Sequence, residues 1–91
     1  MPEIQVMIGG RSFEVACAAG EEEYLQKAAA MLDMEADALN QQIGRLPEAR
    51  MLLMSGLMLA DRTASLEERA KSAEAALEDA QAKLHDLRRR R

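Results

Sequence analysis

Hydrophobic and polar positions change rhythm three times along this chain. Residues 3–8 alternate with period two, so Ile4, Val6 and Ile8 share one face; residues 12–17 alternate again, with Phe13, Val15 and Cys17 together. Gly9-Gly10 lies between the two runs, and a pair of glycines suits a two-residue hairpin turn because both positions accept positive φ. This predicts a β-hairpin with one apolar face, which two strands alone leave uncovered. The rhythm then turns helical. Leu25, Ala28, Leu32, Ala36, Leu39 and Ile43 recur at helical spacing, behind Gly20 as N-cap and Glu21, Glu22 and Glu23 as an acidic first turn. Gly44 is suited to the position just past that helix, and Pro47 to the first position of the next.

The second helix is expected to run unbroken from Pro47 to Arg91, roughly 68 Å at about 1.5 Å per residue. Its opening carries a broad apolar band, Met51, Leu52, Leu53, Met54, Leu57, Met58, Leu59 and Ala60. A band that wide reads as head core and dimer interface together. Past Asp61-Arg62 it narrows to Leu66, Ala70, Ala73, Leu77, Ala80, Leu84 and Leu87, spaced alternately by four and three, the seam of a coiled coil. Leu52 and Leu59 step by seven into that seam. A helix with a thin apolar stripe buries it only against another helix, so the pattern implies an oligomer. The reading is an α+β chain: a small ββαα head over residues 1–60 and a coiled-coil stalk over 61–91.

Composition narrows the class. Ninety-one residues hold one small domain with an extension. The net charge of −4 disfavours generic nucleic-acid binding, and the single cysteine excludes an intrachain disulfide and suits a reducing cytosol. Neither a membrane span nor a secretory signal is evident, so a cytoplasmic protein is expected. Charge is uneven along the stalk. Between residues 61 and 79 acidic side chains outnumber basic ones, whereas Lys83 and Arg88–Arg91 face only Asp86. Antiparallel neighbours would set each basic end beside an acidic middle, and the small residues Ala75, Ala76 and Ala82 suit a four-helix bundle.

Catalytic chemistry finds little to stand on. His85 falls at a solvent-facing heptad position, Cys17 continues an apolar strand face, and no His/Cys spacing matches a metal site. Gly9-Gly10 lacks the rest of a phosphate loop. Met51, Met54 and Met58 read as core. No catalytic residue, metal or cofactor is assigned. Arg11, directly after the turn, is expected to be exposed at the hairpin tip, where it serves solubility or a local pairing on one reading and is a contact for another protein on the other. Arg88–Arg91 offer an alternative function, an adaptor on the nucleoid or on anionic membrane.

Three stretches, residues 8–17 (IGGRSFEVAC), 20–25 (GEEEYL) and 51–61 (MLLMSGLMLAD), resemble the bacterial cell-division family ZapA in order and spacing. One departure is Ser55-Gly56, where the family usually carries Ala-Ala. The resemblance implies a non-enzymatic protein at the mid-cell division site that binds FtsZ filaments and cross-links or aligns their protofilaments. It also implies a homodimer of ββαα heads joined through the stalk into an antiparallel homotetramer. Partner-binding residues carried over from the family map to Arg11 and Glu48. The expected oligomer interface is Leu52, Leu53, Leu57, Leu59, Leu66, Ala70, Ala73, Leu77, Ala80, Leu84 and Leu87.

Overall fold

The computed structural model describes residues 1–90 and shows two strands followed by two helices: β1 (Glu3–Ile8), β2 (Arg11–Ala16), α1 (Glu22–Ile43) and α2 (Glu48–Arg89). The class is α+β with a long C-terminal helix. The chain divides into two compact units, Met1–Ala60 and Asp61–Arg91.

The strands pair antiparallel with Ile8 opposite Arg11, leaving Gly9 and Gly10 as the turn at φ 61° and 81°. Positive φ at both central residues is the type I′ requirement, and its twist matches that of the flanking strands. Ile4 pairs with Val15 and Val6 with Phe13, so the two apolar rows share a face. Beyond β2 the Cys17 N–H donates to the Pro2 carbonyl at 2.9 Å, extending the pairing and burying Cys17.

That face packs on α1. The core joins Val6, Ile8, Ala29, Ala36 and Met51, with Ile4, Phe13, Val15, Leu32, Leu46 and Leu52 against it. The inward line of α1 follows the expected one, with Ala36 and Leu39 buried and Leu25 and Leu32 half-buried, and departs from it at two positions. Ala29 is buried where Ala28 was expected, and Ile43 is exposed. Ala29, Ala36 and Leu39 are the fully buried apolar positions, and Ala28, although exposed, still lines the apolar space against the sheet beside Ala29. The cap differs too: Glu21 occupies the N-cap and α1 starts at Glu22. Gly20 precedes the cap at φ 90°, and its N–H donates to Glu22 Oε1 at 2.7 Å.

α2 starts at Glu48, one residue later than expected, because Pro47 contributes its carbonyl to the first helical bond, from the Met51 N–H at 2.9 Å. The broad apolar band divides by depth. Met51 is buried, Leu52, Met54, Met58 and Leu59 are half-buried, and Leu53 and Leu57 are exposed. Ser55, within the band, is fully buried. From Asp61 onward every described residue of α2 is exposed in the single chain.

Candidate functional site

The hairpin turn is anchored by side chains and backbone from outside the sheet. Its anchors come from three elements. From α1, Asp33 Oδ1 accepts the Gly9 N–H at 2.8 Å, and Asn40 Nδ2 donates to the Gly9 carbonyl at 3.4 Å. Asp33 and Asn40 are seven residues apart, two turns along one side of the helix, and the fully buried Ala36 lies between them. From α2, the Met51 side chain stands directly against Gly9, where any β-carbon would crowd it. From the connection between the helices, the Leu46 carbonyl accepts a hydrogen bond from Arg11 Nη2 at 2.5 Å.

Arg11 is therefore not the free tip residue the sequence suggests. It pairs with Ile8 across the ladder, and opposite residues of an antiparallel pair point to the same face. Its stem follows the apolar face, and the residue is half-buried. A hydrogen bond from a charged donor to a partly shielded carbonyl contributes about 1.5–3 kcal/mol. Glu48, the other expected contact, is exposed in the first turn of α2, where its carboxylate favours the helix N-terminus. Beside it Pro47, Ala49, Arg50 and Leu53 line a shallow dent. Arg11 and Glu48 thus meet only through the 46–48 backbone.

A second concavity, of about 170 Å³, lies between sheet and helix and is lined by Val6, Ile8, Val15, Leu25, Ala28, Ala29 and Leu32. It is apolar throughout. Among the seam residues, Leu53, Leu57, Leu66, Leu77, Leu84 and Leu87 each keep half or more of their surface exposed in the single chain. Ala70, Ala73 and Ala80 are exposed as well, while Leu52 and Leu59 are half-buried, Leu52 against the core.

The ionisable groups are mostly paired locally or exposed. Lys27–Glu23, Lys83–Asp79 and Arg90–Asp86 are exposed pairs one turn apart, each of small energetic consequence. Arg88 and Arg89 close the last turn of α2, as the helix dipole favours, and Arg91 lies outside the described residues. Burial pushes the Cys17 thiol above its ordinary value, helped by the charges of Glu22 and Glu21. Its S–H points to Glu22 Oε1 at 4.0 Å. Among the described residues no group of three or more His, Cys, Asp or Glu side chains is placed to hold a metal ion. No described helix is long and apolar enough to cross a membrane.

Asp33, Asn40 and the Leu46 carbonyl were not singled out from the sequence. A signal was present for the first two: polar residues seven apart on a helix flank otherwise lined by Leu32, Ala36 and Leu39, opposite a glycine turn whose backbone groups need partners.

A hairpin and helix making a small head, continued into a long helix with its leucines exposed in the single chain, define an α+β class built around one extended helix. Within that class a family model places the chain: the model for Cell division protein ZapA matches residues 4–91, and the chain belongs to that family. Membership makes it a cell-division protein associated with the FtsZ ring, in a family of non-enzymatic adaptors. No curated protein matches the chain. A solved structure described as an unknown conserved bacterial protein from Pseudomonas aeruginosa PAO1 superposes at a TM-score of 0.84 over 100% of both chains, at 19% identity. It shares the fold.

Proposed function

We propose that this protein binds FtsZ through its head unit and cross-links or aligns FtsZ protofilaments as a two-ended, antiparallel homotetramer. The observation that carries the reading is the seam on α2. Leu66, Leu77, Leu84 and Leu87 stand at heptad positions with half or more of their surface exposed in the single chain, and a second helix is the natural cover. The charge pattern supports antiparallel neighbours, since Arg88–Arg90 would lie near the acidic stretch of residues 61–79. Two heads at each end would let weak single contacts act together through high effective concentration. Within the head, Glu48 and the hairpin tip form the proposed contact surface, acting at the mid-cell ring in the cytoplasm.

Truncation before Leu66 tests this. Pelleting of FtsZ polymer should show that the shortened chain no longer bundles filaments, although its head still associates with them. Bundling equal to that of the full chain would remove bivalency as the mechanism. Solution mass gives an independent check: about four chains at low salt, falling toward two as salt screens the acidic and basic segments. A dimer insensitive to salt would contradict the antiparallel assembly.

A further inference from the structure

We propose that Arg11 is a positioning residue for partner binding, which sets the first turn of α2 through the Leu46 carbonyl in place of touching the partner itself. The inference rests on the reading that the head binds FtsZ, and says how the surface is held.

Three observations lead to it. The ladder register puts Arg11 opposite Ile8, on the face that packs inward, and its guanidinium is spent in part on Leu46 at 2.5 Å. Leu46 packs against the core, and the next residue is Pro47, whose ring fixes φ and whose carbonyl accepts the first helical bond of α2 from Met51. The segment 47–50 is thus tied at both ends, by Arg11 on one side and by the buried Met51 on the other. Finally, the turn that carries Arg11 is itself anchored: Asp33 accepts the Gly9 N–H, and the Met51 side chain packs against Gly9. Hairpin, α1 and the start of α2 form one braced junction, on which Glu48 and Arg50 are displayed beside the dent of Pro47, Ala49 and Leu53. Such a surface fits a polypeptide partner presenting an apolar side chain flanked by charges of both signs.

The test pairs hydrogen exchange with binding, using full-length chain and FtsZ polymer. Arg11→Met keeps the apolar stem and removes the donor; Asp33→Ala loosens the turn from the α1 side while leaving Arg11 and Glu48 in place; Arg11→Lys restores one donor. Expected for both Arg11→Met and Asp33→Ala is exchange about tenfold faster at the Met51 and Leu52 amides, as loss of one charge-assisted or buried hydrogen bond would give, together with weaker binding from a displaced first turn. Arg11→Lys should recover part of both together. Arg11→Met combined with Glu48→Ala should weaken binding by less than the product of the two single effects. The proposal is overturned by Arg11→Met weakening binding at unchanged exchange, by Asp33→Ala leaving binding intact, or by independent effects of Arg11 and Glu48. Should the wild-type chain fail to bind FtsZ, the proposed function falls. The exchange measurement, made without FtsZ, then still decides whether Arg11 sets the first turn.

Discussion

Gly9 and Met51 meet so closely that a β-carbon built on the glycine would lie 2.5 Å from the methionine sulfur, with the Ala36 β-carbon 3.1 Å away on another side. Gly10, its neighbour, has open space around the same position. Both have positive φ, so both substitutions to alanine carry the left-handed backbone cost of about 1–2 kcal/mol. Gly9→Ala should lose about 1–2 kcal/mol more than Gly10→Ala, because Met51 has to leave a packed site. Urea unfolding midpoints of the two variants read the difference. Equal losses would show that Met51 swings aside freely.

Ser55 is fully buried and its hydroxyl has no hydrogen-bond partner in the single chain. A buried hydroxyl left unpaired is a net cost, so Ser55→Ala should stabilise the fold by about 1 kcal/mol. A destabilisation of that size in a denaturant melt would mean that the hydroxyl acquires a partner in the assembled protein.

Cys17 gives a pH dependence whose sign can be worked out. Burial, then Glu22 and Glu21, raise its thiol above the ordinary 9.0, so the folded chain holds the proton more tightly than the unfolded one. The contribution to stability is therefore complete below pH 9.0 and is lost as pH rises through the folded value. Alkylation of the native chain at pH 8 should be slower than that of the urea-unfolded chain, and Cys17→Ala should remove this component of the alkaline loss. Native alkylation as fast as unfolded would contradict a shielded, protonated thiol.

Leu77 sits midway along the seam and keeps 59% of its surface exposed in the single chain. On the proposed assembly Leu77→Glu buries a charge between helices, and the mass measured by light scattering should drop at a concentration where the wild type is assembled. An unchanged mass would place the contact elsewhere on α2.

The hairpin was legible because period-two alternation and Gly9-Gly10 agree on one register, and a slip by one residue would turn Val6 and Ile8 to solvent. The two helices were legible because their breaks coincide with Gly20, Gly44 and Pro47. The depth of individual alanines on α1 was not. Ala28, Ala29 and Ala30 are identical side chains, so composition alone does not say which lies deepest; Ala28 and Ala29 both line the space against the sheet, and Ala29 is the buried one. Arg11 was misplaced for a related reason. Its position after a turn suggests exposure, whereas the pairing of Ile8 with Arg11 sends it to the inner face. The Leu46 carbonyl is a backbone group and leaves no mark in the sequence at all.

The row of exposed leucines on α2 has a further consequence under the proposed assembly. A helix that covers its apolar surface only with other copies of itself gains order by mass action, so its stability rises with the logarithm of its own concentration. The amount of chain a cell makes then does more than set how many filaments are joined. It also sets what fraction of chains is fully ordered, and a thermal midpoint quoted for this protein has meaning only alongside the concentration at which it was taken.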